Sequence, residues 1–287
     1  MKLVGVSRAK QYSPQSEDRD AAIFNGVASR LAECGHEVEL YDEGLLPAEM
    51  AADLIFSMAR STQAIRFLKQ CEDKGVPVVN SAYAIESNNR LVLSQLFSAH
   101  GIHMPLTRQL QTSEPAPLCP PSGCWLKRFD ASAQTKSDVV FCHDDEDVES
   151  ALSAFRENGI MSVIMENHIQ GDLLKFYGVY GQPFFHYYYP TSGKGFSKFG
   201  LEQYNGAPAY VSFDATLLHE TAELAATLSR FYIYGGDAVV APDGTVFLID
   251  FNDWPSFSPC LQEATTSIAN YLMQKIIYTS IKLTKSI

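Results

Sequence analysis

Over about the first 80 positions, short apolar runs alternate with stretches whose apolar residues recur at helical spacing. KLVGVS (residues 2–7) predicts a strand, DAAIFNGVASRLAECG a helix stopped at Gly35, EVELY a strand, DLIFSMA a further apolar segment, STQAIRFLKQCEDKG a helix and VPVVN a strand. Strands and helices that alternate at such short intervals predict a small parallel α/β unit. No G-x-G-x-x-G occurs there, so nothing marks that unit as a dinucleotide site.

The pattern then changes. Residues 82–100 predict one helix closed by Gly101, and the proline-rich HMPLTRQLQTSEPAPLCPPSG predicts an extended crossing between lobes. CWLKRFD and DVVFC predict two strands around a loop of small residues, ASAQTKS. Residues 144–158 predict an acidic-faced helix, SVIMENHI a strand, and GDLLKFYGVYGQPFFHYYYP a long hairpin turning near Gly181-Gln182-Pro183. A loop bearing Gly and Lys, an amphipathic helix (ATLLHETAELAATLSRFY), a second hairpin and a terminal helix (SIANYLMQKIIYTSIKL) follow.

The second hairpin, GGDAVVAPDGTVFLIDFNDWP, carries the candidate chemistry. Two apolar strands flank a Pro242-Asp243-Gly244 turn, with Asp237 expected to open the first and Asp250 and Asn252 to close the second. Strand side chains alternate, so the two polar residues of Asp-x-Asn share a face, and the turn brings Asp237 back beside them. Two carboxylates and an amide oxygen, with room left for water and phosphate, are the ligand set that Mg²⁺ takes in a nucleotide site. Asp and Asn also end strands for purely local reasons, by bonding their own backbone.

Composition narrows the classes. With 46% apolar and 19% charged residues in 287, the chain is a globular protein long enough for two or three lobes. No apolar run reaches membrane-spanning length, and the N-terminus lacks the pattern of a signal peptide, so a cytoplasmic location is expected. Six cysteines show no metal-ligand spacing. A net charge of −11 argues against nucleic acid or an anionic membrane as partner. It also makes locally gathered Lys and Arg informative, since an acidic protein must concentrate them to hold a polyanion.

With these pieces in order, the chain resembles the ATP-grasp superfamily from end to end. The resemblance implies a small parallel α/β domain (residues 1–82), then two α+β lobes (83–160 and 161–287) that clamp ATP between them. It implies that Asp237, Asp250 and Asn252 hold Mg²⁺, or Mn²⁺ in its place, as in D-alanine–D-alanine ligases and ribosomal-protein glutamate ligases. Lys127 resembles the ATP lysine of the central lobe, and Arg90 stands where a second lysine is usual. Glu166, with the backbone of Asn167 and Ile169, would meet adenine, and Asp172 the ribose. Lys175 would face the transferred phosphate, and Ser132 and Lys136 lie in the phosphate loop, which here lacks glycine. Asp250 in place of Glu, together with GDLLKFYGV, is similar to the inositol trisphosphate kinases of the same superfamily.

Three activities follow from that resemblance. Ligation of a small-molecule or peptide carboxylate to an amine (or thiol) through an acyl phosphate leads, because the substrate-side segments are not strongly basic. Phosphorylation of a hydroxyl is the alternative, and nucleotide binding without turnover is the third. The resemblance allows a homodimer without requiring one. The aromatic run from Phe184 to Tyr189 reads as core rather than substrate wall, and residues 191–206, with Lys194 and Lys198, as a mobile lid.

Overall fold

A computed structural model describes residues 1–129, 136–190 and 204–284. The N-terminal sheet is parallel, in the order β2-β1-β3-β4: β1 (Lys2–Ser7), β2 (Glu37–Asp42), β3 (Leu54–Ser57) and β4 (Val78–Val79). Its buried apolar strands are covered by α1 (Glu17–Glu33) and α2 (Thr62–Asp73). The Ser61 side chain caps α2 by accepting from the Ala64 N–H.

The predicted helix over 82–100 is two helices, α3 (Ala82–Ser87) and α4 (Arg90–Ala99). Asn89 turns out of helical geometry and caps α4 through the Val92 N–H, which ends one helix and starts the next. That break sets Arg90 at the first turn of α4. The proline-rich crossing contains a strand, β5 (Thr107–Gln111). It joins an antiparallel central sheet in the order β5-β8-β6-β7, with β6 (Cys124–Arg128), β7 (Val139–Cys142) and β8 (Ser162–Asn167). The apolar side of α5 (Asp145–Glu157) covers one face, with Val148, Leu152 and Phe155 buried beside Cys124 and Leu126.

The third sheet is also antiparallel, β10-β9-β11-β12: β9 (Asp172–Val179), β10 (Phe185–Tyr188), β11 (Ile233–Val240) and β12 (Val246–Asp253). One face carries α6 (Ala215–Ser229), together with Leu93 and Phe97 of α4. The terminal helix α7 (Leu261–Thr284) does not stay with this lobe. It packs on α1, in a core shared by β1, β3, Trp254 and Phe257. Sheet membership therefore departs from the expected boundaries: β8 belongs to the central sheet, α4 covers the third, and α7 returns to the first. Each apolar face is buried where a complementary sheet face is available, whatever its place in the chain. No helix of the described residues is long and apolar enough to cross a membrane.

One buried amide ties the first unit to the third sheet. Asn80 donates through Nδ2 to the Ile233 carbonyl (2.9 Å), and its Oδ1 accepts from the N–H groups of Tyr232 (2.8 Å) and Ile233 (3.0 Å). Asn80→Ala strands these three backbone groups at a site that is 1% exposed. The expected loss is about 3 kcal/mol of unfolding free energy in a urea titration.

Candidate active site

The turn that sequence places at residues 242–244 is present. Gly244 N–H donates to the Ala241 carbonyl (2.9 Å), Asp243 Oδ1 accepts from Thr245 N–H (2.9 Å), and Gly244 takes φ +86°, where only glycine is unstrained. The strands run longer than expected, so Asp237 lies within β11, and Asp250 and Asn252 lie within β12.

Register builds the site. Lys175, Asp237 and Asp250 stand side by side across β9, β11 and β12, and Tyr177, Gly235 and Asn252 form the next row. The pairing shifts beside Asp237: Asp250 pairs with Asp237 and Leu248 with Ala238, so Ile249 is an extra residue of β12 without a partner across the ladder. Such a bulge re-aims a strand, and Ile249 and Asp250 both line the cleft here. Lys175 Nζ donates to both carboxylate oxygens of Asp237 (3.0 and 3.2 Å). Arg90 Nε lies 3.7 Å from Asp250 Oδ1, and Asn252 Nδ2 donates to Asp250 Oδ2 (3.0 Å). Burial by itself raises the Asp250 carboxyl. Arg90 first, then Lys127, the Asn252 amide and Lys175, outweigh burial and hold it below its ordinary value.

The central sheet forms the opposite wall. Trp125 and Lys127 are two apart on β6 and so face the same way, and Lys127 donates to Glu166 Oε2 from β8. Both are nearly buried, with side chains 12% and 6% exposed. Between the walls lies a cleft of about 390 Å³, within the usual range for small-molecule sites. It is lined by Arg90, Lys127, Glu166, Lys175, Asp237, Asp250 and Asn252, with Asn167 and Ile169 at one end.

Asn167 N–H donates to the Leu106 carbonyl and so is already used. Ile169 N–H makes no hydrogen bond among the described residues, and its carbonyl accepts from Asn205 Nδ2 (3.3 Å). Burial lowers the His168 pKa, so the ring is neutral at pH 7, and its Nδ1 accepts from Trp125 Nε1 (3.2 Å).

Asp172, expected at a ribose, faces away from the cleft. Its carboxylate accepts from the N–H groups of Ala209 (2.6 Å) and Val211 (2.8 Å), fastening the chain that enters α6. The reason is alternation: Asp172 and Lys175 are an odd number of residues apart on β9, so they point to opposite faces. Ser132 lies outside the described residues, as do Lys194 and Lys198. Only the backbone of Lys136 is described, in a 3₁₀ turn. Trp125, His168, Tyr177 and Asn205 line the cleft without having been picked from sequence. The period-two rule applied outward from Lys127 and Lys175 would have found Trp125 and Tyr177. Of the aromatic run, Phe185 stacks on His219 and Phe176, whereas Tyr188 lies against Tyr177 at the cleft.

The oxygen set fits a small hard cation. Among the described residues no group of three or more His, Cys, Asp and Glu is placed to hold a metal, so Asp237 and Asp250 need the Asn252 oxygen and further oxygens from outside the protein. Mg²⁺ is characteristically bound in that way, by one or two carboxylates completed by phosphate and water. The floor has no room to spare. A Cβ on Gly236 would come 2.3 Å from the Asp250 carbonyl and 2.6 Å from the Phe176 ring. Gly236→Ala is expected to push β12 away from β11, costing about 1–3 kcal/mol of stability. It would also lower metal–nucleotide affinity, read by calorimetric titration against the parent.

Neither the sequence-family models nor the curated protein sequences give a match to this chain. Solved structures do. The RimK-domain ATP-grasp protein of Sphaerobacter thermophilus superposes with a TM-score of 0.65 at 16% identity, over 94% of this chain and 99% of that one. The D-alanine–D-alanine ligase of Bacillus anthracis gives 0.63 at 12% identity, over 100% and 99%. The ATP-grasp ligase PsnB, solved with its precursor peptide PsnA2 and AMPPNP, gives 0.60 at 13%, over 96% and 97%. With two antiparallel α+β sheets facing each other across the cleft, an N-terminal parallel sheet and these matches over nearly its whole length, the chain has the ATP-grasp fold.

Proposed function

We propose that this chain is an ATP- and Mg²⁺-dependent ligase that joins a carboxylate to an amine (or thiol) through an acyl phosphate. The observation that carries the reading is the row Lys175–Asp237–Asp250 on one wall, facing the Lys127–Glu166 pair on the other. Adenine enters at Ile169, whose N–H makes no hydrogen bond among the described residues, beside Trp125 and Glu166. Lys127 reaches the α-phosphate side, while Arg90 and Lys175 neutralise the β- and γ-phosphates. Asp237, Asp250 and Asn252 would hold Mg²⁺, which would supply positive charge to offset that on the phosphoryl group transferred. Lys175 and Arg90, which here contact Asp237 and Asp250, would be the cations available to meet phosphate.

The chemistry then needs little from the chain beyond positioning. A substrate carboxylate oxygen attacks the γ-phosphorus and ADP leaves. The amine attacks the acyl carbon, phosphate leaves, and the amine proton passes to phosphate or water. No side chain has to act as base in the first step. That suits a cleft whose carboxylates Glu166, Asp237 and Asp250 are each engaged with a cation. Phosphorylation of a hydroxyl, the second reading, is served less well for the same reason, because His168 already accepts from Trp125.

Solved relatives carry names spanning D-alanine–D-alanine ligase, D-cycloserine synthetase and a ligase bound to a precursor peptide. The acceptor sought is therefore a small amino-acid-like molecule or a peptide. γ-Labelled ATP, Mg²⁺ and a metabolite and peptide pool test the reading. Label released as inorganic phosphate only with the pool present supports ligation. Label in an organic product would mean a kinase, and no release in any pool would leave nucleotide binding alone.

A further inference from the structure

Two arginines of the N-terminal unit reach the chain that follows Asn252. Arg8, just past β1, donates from Nε to the Met58 carbonyl, from Nη1 to Asp20 Oδ2 and from Nη2 to the Trp254 carbonyl, each at 3.1 Å. Arg60, just past β3, donates from Nη2 to the Asp253 carbonyl (3.3 Å) and to Asp253 Oδ1. Glu43 braces both loops: Oε1 accepts from Ala9 N–H (2.6 Å), and Oε2 from the N–H groups of Arg60 (2.9 Å) and Ser61 (2.6 Å). Asp20 also accepts from Ser13 Oγ (2.7 Å).

This is more polar machinery than docking requires, since Phe56 already stacks on Trp254 inside a continuous apolar core. The carbonyls that are gripped belong to the point where the chain leaves β12 and reverses. There Trp254 takes φ +37° and Phe257 φ +51°, left-handed values that bulky residues adopt only under constraint. Asn252 is the residue immediately before.

We propose that Arg8 and Arg60 are positioning residues for the metal set. By clamping Asp253 and Trp254 they fix where the Asn252 amide stands against Asp250, and so set how tightly the cleft holds the divalent cation of a metal–nucleotide. The inference rests on the reading of Asp237, Asp250 and Asn252 as metal ligands. It makes the loops after β1 and β3 part of the metal site's support, although neither touches the metal.

Mn²⁺ titrated into the full chain with ADP, with free Mn²⁺ read by electron paramagnetic resonance, tests it. Asp253 is 5% exposed, and its Oδ2 has no hydrogen-bond partner among the described residues, so Arg60→Met alone would strand a buried carboxylate. The working variant is therefore Arg60→Met/Asp253→Asn, which removes both charges. Mn²⁺ affinity should fall about tenfold, as for other groups that orient metal ligands, while ADP affinity in EDTA stays within about twofold. Arg60→Lys, which still offers one nitrogen to the Asp253 oxygens, should recover most of the loss. Unchanged Mn²⁺ affinity in the double variant would overturn the proposal, as would equal losses with and without metal or no recovery by lysine. A parent chain that binds no Mn²⁺ with ADP would overturn the metal reading itself, and this inference with it.

Discussion

Asp250→Ala is expected to lower turnover by about 10³-fold or more, equivalent to several kcal/mol of lost charge stabilisation on the transferred phosphoryl group. Asp250 has two neighbours to serve. In the proposed reading it would share Mg²⁺ with Asp237 and Asn252, and it is the counter-charge 3.7 Å from Arg90. Removing it takes an anion from a cleft that must admit a polyanion, so ATP binding in EDTA should not weaken. Metal-dependent binding should. The pH profile separates the two effects. Arg90 and its companions hold the carboxyl below its ordinary value against the opposing pull of burial, so the charged form persists through the neutral range. The stability its cation contacts confer is present above the ordinary carboxylate pKa of 3.8 and disappears only as pH falls through the lowered value. Phosphate release by the parent and Asp250→Ala, with nucleotide titrations with and without Mg²⁺, checks the prediction. Turnover within tenfold of the parent would remove Asp250 from the metal set.

The hairpin that holds Asp250 was legible because each signal agreed: a Pro-Asp-Gly turn, apolar flanks and polar residues at period two. Lys127 and Lys175 were picked from the resemblance rather than from any local pattern, and both line the cleft. Strand β5 was not. Its residues, TRQLQ, are mostly polar and half-exposed on a sheet edge, so its order comes from pairing with β8 rather than from any pattern of its own. The misplacement of Asp172 is of another kind, since alternation along LLKFY already turned it away from the face of Lys175. The grip of Arg8 and Arg60 on Asp253 and Trp254 joins residues far apart in the chain. Only the return of α7 and Trp254 to the first core brings them together.

Lys127→Ala should be the most destabilising of the single charge removals in the cleft. Glu166 is 5% exposed and takes its charge partner from Lys127, so truncating the lysine leaves a carboxylate in the low-dielectric space between β6 and β8. The expected cost without nucleotide is about 3–5 kcal/mol, the range for breaking a buried pair. It would appear as a fall in the urea midpoint with an unchanged slope. Lys127→Met/Glu166→Gln removes both charges while keeping their bulk, and should recover most of that stability because no unpaired ion remains. Nucleotide affinity should not recover with it. If Lys127 and Glu166 are present to meet phosphate and base, the double variant will be stable yet bind ATP at least about tenfold more weakly than the parent. Were the pair only a structural strut, stability and ATP affinity would return together. A buried ion pair that hydrophobic or neutral isosteres can replace at little cost is poor evidence of a need for stability. Its presence in one wall of a cleft of this size is better explained by what the two charges would contact with ATP bound.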